Sequence, residues 1–463
     1  MKKSLKDGFI RFINYIKKDT GRKAVFLCVF VISTVLICAA AAQAVNIIRS
    51  NDDDFGKEVS INLDKITDGT ENGVNEIKRV PKQAEKKKSE QSPAEEDLES
   101  FKSNYEDAKT YVESQKADSE IEDIIASMSL SDMIYQMMFV TPEALSGEKV
   151  AKTADNAASK LSDCPVGGII MFSDNITDPD QVKNFTSALQ NASKIPLFIG
   201  VDEEGGSVSR IASNPKMGVE KAPSAAEIGS TGNPENAYIS GKKIGESISS
   251  LGFNLDFAPV ADAKSNEKSQ IGDRAFSVTS DGASPFVEGF VKGLNDSGVA
   301  SVLKHFPGIG GADADTHEGR AEIPESLDFM RKNNFLPFKA GINSGAQFVM
   351  VSNACPVSCG IEVPSCLSGE VVEKWLRGEL GFSGLVITDS LSMKSITNEY
   401  SSAAAAYRAV LAGCDMLLMP QNLGEAHQSI LSAVENGEIP KSDIEASVRR
   451  ILKAKKSMVL IGG

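Results

Sequence analysis

Metal-binding patterns are the first thing the sequence lacks. Its seven cysteines form no C-x-x-C pair or Cys/His spacing of a structural zinc site, and only three histidines occur in 463 residues. A zinc or iron–sulfur protein is therefore not expected. Basic residues are also in deficit, 49 against 63 acidic ones, for a net charge of −14. A phosphate backbone needs a basic footprint, so nucleic acid is not the expected partner. Glycine (38) and proline (18) occur at ordinary frequency, which excludes collagen-like and wholly disordered chains. What remains is a chain with 41% hydrophobic residues, long enough for two or three average domains or one α/β barrel with appendages.

One long stretch without charge runs from Ala24 to Ile48. At about 1.5 Å per residue it can cross a hydrocarbon core of roughly 30 Å. Lys2, Lys3, Lys6, Arg11, Lys17, Lys18, Arg22 and Lys23 precede it, against only Asp7 and Asp19. By the positive-inside rule, residues 1–23 stay cytoplasmic and the rest is exported. Ala42-Gln43-Ala44 offers a signal-peptidase reading, in which the protein is secreted, and Cys38 a lipidation reading. The long basic flank, and Ile37 before Cys38, favour an uncleaved single-pass anchor in the cell membrane. Residues 49–118 are too polar to bury a core, as in Lys86-Lys87-Lys88-Ser89-Glu90-Gln91-Ser92-Pro93, and read as a spacer. Within it Leu98, Phe101, Tyr105, Ala108 and Val112 recur at helical spacing.

The character changes in residues 119–463. Ser129-Leu130-Ser131-Asp132 gives a helix start resembling a capping box. Apolar runs then recur at Gln136–Val140, Val166–Phe172, Leu197–Asp202, Asn254–Ala258, Ser301–His305, Phe348–Ser352, Leu385–Asp389 and Asp415–Met419, starting 30 to 57 residues apart. Several are continuously apolar, as parallel strands covered on both faces are. Eight such units fit a (β/α)8 TIM-type barrel, with an open doubly wound sheet as the other arrangement. A barrel places its chemistry at the C-terminal ends of the strands.

Polar motifs lie at those ends. The third run leads into Asp202-Glu203-Glu204-Gly205-Gly206 with Arg210 beyond. That suits close approach of a hydroxylated ligand, and equally an ordinary acidic turn. The fifth ends in Lys304-His305-Phe306-Pro307-Gly308-Ile309-Gly310-Gly311, followed by Asp313, Asp315 and His317. Lysine and histidine at a buried strand end are costly unless they face a polar cavity. Asp315 can orient and polarise His317 as a general acid/base, or both can be solvated loop residues. The glycines do not make a P-loop. Asp389 ends the seventh run, where a carboxylate serves as nucleophile, base or metal ligand, or caps a helix.

Taken in order, these motifs resemble the catalytic barrel of glycoside hydrolase family 3, over about residues 121–460. The resemblance is carried by Ser127-Met128-Ser129-Leu130, Gly167-Gly168-Ile169-Ile170-Met171-Phe172, the Asp202 segment, Phe257-Ala258-Pro259-Val260-Ala261-Asp262, Gly272-Asp273-Arg274-Ala275-Phe276 and Lys304-His305-Phe306-Pro307-Gly308. It continues in Leu376-Arg377-Gly378-Glu379-Leu380-Gly381-Phe382, Ile387-Thr388-Asp389-Ser390-Leu391-Ser392-Met393 and Gly413-Cys414-Asp415-Met416-Leu417. It is greatest to the single-domain β-N-acetylglucosaminidase branch. Many relatives take an acid/base carboxylate from a second domain, whereas little chain follows the eighth unit here. The resemblance implies retention through a covalent glycosyl-enzyme intermediate, with Asp389 as nucleophile, His317 as acid/base and Asp315 as its partner. It implies that Asp202, Arg210, Arg274, Lys304 and His305 bind the sugar, and that no metal or organic cofactor is needed.

Ile309 stands where the family usually has histidine, Gly311-Ala312 where Asp-Thr is frequent, and Ser207 where arginine is common. Cys355 and Cys359 can meet outside the cell, though unpaired thiols are the simpler expectation. The resulting expectation is an extracytoplasmic exo-β-N-acetylglucosaminidase acting on cell-wall muropeptides. A hydrolase for β-glucosides or chitooligosaccharides, or a silent wall-glycan receptor, are the alternatives.

Overall fold

The computed structural model describes residues 118–312, 314–458 and 460. The expected anchor at 24–48 lies outside the described residues. So do the spacer (except Asp118), its helical pattern from Leu98 to Val112, and Cys28 and Cys38. Among the described residues, no helix is long and apolar enough to cross a membrane.

The described residues form ten strands: β1 Met138–Val140, β2 Gly168–Ile170, β3 Phe198–Val201, β4 Glu203–Gly205, β5 Val208–Ser209, β6 Leu255–Asp256, β7 Ala300–Phe306, β8 Phe348–Val351, β9 Leu385–Thr388 and β10 Leu417–Leu418. Eight form a parallel sheet in the order β10-β1-β2-β3-β6-β7-β8-β9, while β4 and β5 form a separate antiparallel hairpin. A parallel bridge between Ile387 and Met416 joins the two outer strands. There Thr388 N–H donates to the Met416 carbonyl at 3.0 Å, and Met416 N–H to Val386 at 3.0 Å. The sheet therefore closes on itself as a TIM-type barrel, which excludes the open doubly wound arrangement.

Each run identified in the sequence corresponds to one barrel strand, and two of these strands, β6 and β10, are cut to two residues. After β6, Pro259 has no N–H to offer the ladder; Ala258 and Pro259 still accept the N–H groups of Val302 and Lys304 at 2.9 and 3.3 Å, and the next bridge is Val260–Lys304. At the eighth run Asp415 is drawn into side-chain bonding, and Met419 turns to φ 49°, outside the strand region. Asp415 receives Arg377 Nη2 and Arg450 Nε, each at 2.7 Å, and Val386 N–H at 2.8 Å. Two family motifs thus meet in a structural ion network rather than in chemistry.

Rings fill the barrel. Phe198 and Phe348 meet edge to face at 5.1 Å and Phe139 and Phe257 at 5.3 Å. A Cβ on Gly200 would lie 2.7 Å from the Phe257 ring, so glycine is required there by packing. As the Ser129 motif indicated, that side chain accepts the Asp132 N–H and starts the helix Leu130–Gln136. The five described cysteines are free, Cys355 and Cys359 among them.

The last long helix, Lys441–Ser457, is tied to the first described one (118–127) by Lys453–Asp118 at 2.8 Å and Arg449–Glu122 at 2.9 Å. It also inserts Lys455, fully buried, at the N-terminal ends of the strands. The ammonium donates to Gln136 Oε1 at 2.8 Å and lies 5.1 Å from the Phe198 ring centroid. Burial without a carboxylate partner lowers its pKa to about 7 from 10.5. Between those values the unfolded chain binds the extra proton, so raising the pH favours the native state. Stability should therefore rise from about pH 7 towards pH 10. Denaturant titrations should show that Lys455→Met flattens this slope by up to about 1.4 kcal/mol per pH unit; an unchanged slope would mean the native ammonium is not desolvated.

Candidate active site

A cavity of about 580 Å³ opens at the C-terminal ends of the barrel strands. It is lined by all eight residues selected from the sequence: Asp202, Arg210, Arg274, Lys304, His305, Asp315, His317 and Asp389. They come from five segments spread over nearly two hundred residues of chain, brought together by barrel closure.

At its base Lys304, 3% exposed, donates to Asp202 Oδ1 at 2.7 Å and pairs with Glu204 Oε1 at 2.6 Å. Arg274 clamps Glu204 with both prongs, Nε and Nη2, each at 2.8 Å. Burial alone would push the Glu204 carboxyl up, but Lys304 and Arg274 outweigh it and hold its pKa at about 2. Burial would likewise lower Lys304, and Asp202 and Glu204 raise it instead. Glu204 was not selected from the sequence, although strand alternation held the signal. From Asp202 on, the alternate residues Glu204, Val208 and Arg210 line the cavity, with Gly206 in the turn the exception. Glu203 faces away and accepts N–H bonds from Arg210 and Ile211 at 2.7 Å, besides the Ser209 hydroxyl. It organises the hairpin instead of contacting a ligand.

That hairpin turns at Gly205, whose φ is +85° and where a Cβ would lie 2.6 Å from the Pro223 carbonyl. Ser207, at one of the departures from the family pattern, donates to Asp273 Oδ1 at 3.0 Å. It thereby joins the hairpin to the turn that carries Arg274. Arg210 makes no ion pair among the described residues. Its guanidinium carbon is 5.9 Å from the Phe172 ring centroid, and its buried Nε has no partner. This cation is free to bind a ligand oxygen.

Lys304 and His305 are joined by a cis peptide bond. Behind His305 lies a second residue not selected from the sequence. Asp262 is 1% exposed, and its Oδ2 is 2.8 Å from His305 Nδ1. The glycine-rich loop follows. A Cβ on Gly310 would lie 1.7 Å from the Ala263 carbonyl, so close backbone approach accounts for that glycine without any phosphate. Further along, Asp315 Oδ1 accepts both the backbone N–H and ring Nδ1 of His317 at 2.8 Å. Burial raises the Asp315 pKa, but these bonds outweigh it and the net shift is downward. An ionised carboxylate only accepts, so Nδ1 carries a proton and Nε2 is the working nitrogen. The His317 side chain is 73% exposed, at the rim. Between the dyad residues, Thr316 is buried and its carbonyl accepts Ser395 N–H at 3.2 Å. This ties the dyad loop to the chain that follows Asp389.

Asp389 follows β9 directly. Its N–H donates to Val351 at 2.8 Å, and its Oδ1 accepts the Ser390 N–H at 2.7 Å. The next helix begins only at Lys394, so Asp389 is not its cap. Among the described residues, no group of three or more His, Cys, Asp or Glu side chains is arranged to hold a metal ion.

Replacing Glu204 by Gln leaves Lys304 and Arg274 short of a buried counter-charge, which should cost about 3 kcal/mol. Because the folded pKa is depressed, Glu204 stabilises the fold above about pH 4.5 and that contribution is lost as pH falls towards 2. Urea titrations should show the acid limb flattened in Glu204→Gln; equal stability of both proteins at pH 7 would contradict the network.

Comparison with known proteins gives a consistent result. The family model described as "Glycosyl hydrolase family 3 N terminal domain" matches residues 129–454. A protein of Stenotrophomonas maltophilia named beta-hexosaminidase is 32% identical over 273 residues, which is 57% of this chain and 80% of that protein. The structure of a family 3 beta-N-acetylglucosaminidase from Paenibacillus sp. superposes with a TM-score of 0.68 at 31% identity, covering 73% of this chain and 64% of that one. A family 3 glycosyl hydrolase from Mycobacterium smegmatis gives a TM-score of 0.64 at 30% identity, covering 71% of this chain and 98% of the other.

Proposed function

The chain belongs to glycosyl hydrolase family 3, and on that footing we propose that it is a retaining exo-β-N-acetylglucosaminidase. The observation that carries the reading is the convergence of Asp389, the Asp315–His317 dyad and the five sugar-binding candidates on one cavity. The names of the relatives point the same way.

In this mechanism one oxygen of Asp389 is held by Ser390 N–H, and the other attacks the anomeric carbon. As that bond forms, the glycosidic C–O bond breaks and the leaving oxygen takes the Nε2 proton of an imidazolium His317. Asp315 holds Nδ1–H throughout and stabilises the charged ring. His317, now neutral, then takes a proton from water at Nε2. The water oxygen attacks the anomeric carbon, releases Asp389 and restores the imidazolium. Two displacements retain configuration. The exposure of His317 means that the aglycone meets the ring at the rim, or that its loop folds inward.

The substrate would be a non-reducing terminal N-acetylglucosamine in cell-wall muropeptides. The uncharged 24–48 segment, basic flank and polar spacer support the location this requires, with the barrel tethered outside the cell membrane. A β-glucosidase or chitooligosaccharide hydrolase remains the enzymatic alternative, and a silent wall-glycan receptor the non-enzymatic one.

Assays of the full chain on aryl β-N-acetylglucosaminide, aryl β-glucoside and a muropeptide decide between them. Preference for the first sugar is expected. Asp389→Ala should lower kcat by about 10⁴-fold. His317→Ala should lower it by about 10² to 10⁴, with a smaller loss for an aryl leaving group that departs unprotonated. Wall-glycan binding without turnover by the folded wild type would establish the receptor instead.

A further inference from the structure

Two histidines line the cavity, each paired with an aspartate, and the proposed reaction uses only the outer pair. The inner pair has the same local pattern. Asp262 Oδ2 accepts His305 N–H at 3.0 Å and lies 2.8 Å from ring Nδ1. Unlike Asp315, this carboxylate is 43 residues from its histidine in sequence and does not line the cavity. Its other oxygen is occupied too: Oδ1 accepts the Ile309 N–H at 2.7 Å. One buried side chain thus grips both the strand-end histidine and the root of the loop that leads to Asp315 and His317.

We infer that Asp262 is a positioning residue: it fixes His305 with its proton on Nδ1 and Nε2 turned to the sugar, and anchors the dyad loop through Ile309. A carboxylate facing a backbone N–H and Nδ1 together can only accept, so Nδ1 must be the protonated nitrogen. His305 lines the cavity, and among the described residues its Nε2 has no hydrogen-bond partner. Ile309 completes the anchor, packing on Val260, Ile271 and Ala275. An apolar residue at this departure from the family pattern is therefore consistent with a loop root held by packing plus one backbone bond.

This inference rests on the sugar-site reading for its effect on turnover, but not for the state of the histidine. An Asn at 262 has one oxygen for the three N–H groups that the carboxylate holds. Its amide N–H must face either Ile309 N–H, which releases the loop root, or Nδ1 and the His305 N–H, which drives the ring proton to Nε2. The test is ¹⁵N-histidine NMR of the full chain, in which three histidines are readily assigned by substitution, together with kinetics and a melting curve. Wild type should show His305 protonated at Nδ1, and added N-acetylglucosamine should shift its Nε2 resonance in preference to Nδ1. Asp262→Asn should raise KM for the aryl N-acetylglucosaminide at least about tenfold, with a smaller change in kcat and His427 signals unmoved, and should move the His305 proton to Nε2 where the amide N–H faces the ring.

Wild-type His305 protonated only at Nε2, or an Asp262→Asn variant with unaltered tautomer and KM, would overturn the inference. If Asp262→Asn does not fold, the wild-type resonances and their response to the sugar still decide it. A wild type that turns over no N-acetylglucosaminide would refute the proposed activity, while the tautomers would still decide the role of Asp262.

Discussion

The site is built around one buried ammonium. A lone lysine charge at the end of a barrel strand would be strongly unfavourable, and Lys304 is tolerated because Asp202 and Glu204 lie at 2.7 and 2.6 Å. That requirement organises three parts of the chain. Asp202 directly follows β3, Glu204 draws in the hairpin, and through Glu204 the guanidinium of Arg274 fixes the turn that Ser207 also holds. The resulting floor is rigid and nearly balanced in charge. Arg210 is left as the cation with no ion pair among the described residues.

The same economy governs the loops above the floor. The dyad loop has a hydrogen bond at each end, Ile309 N–H to Asp262 and Thr316 carbonyl to Ser395 N–H. The first links it to His305 and the second to the segment after Asp389. Just beyond Ile309 it approaches the neighbouring backbone so closely that only glycine fits at position 310. In the proposed reaction, this places an exposed proton carrier on a loop whose two ends are referenced to the sugar and to the nucleophile.

Much of this architecture was legible in the sequence because its causes are local. Strands covered on both faces leave continuous apolar runs, and a barrel puts polar residues where the runs stop, so Asp389, Lys304 and Asp202 could be selected without coordinates. Glu204 was legible in principle from alternation after Asp202. Asp262 closes the Phe257–Asp262 motif, but its role was not legible, because its partners are 43 and 47 residues away. The exposure of His317 was equally hidden, since it depends on how far the loop projects. Strand ends misjudged in the sequence have particular causes: Pro259 interrupts one ladder, and Asp415 and Met419 leave the other.

The central claim is that Asp389 becomes covalently linked to the sugar. The most direct test is to incubate the full chain with a 5-fluoro-N-acetylglucosaminyl fluoride, digest it and locate the label by tandem mass spectrometry. A single glycosyl adduct is expected on the peptide containing Asp389, with the Asp202 and Asp315 peptides unmodified. An adduct on another carboxylate, or turnover with inverted anomeric configuration, would contradict it.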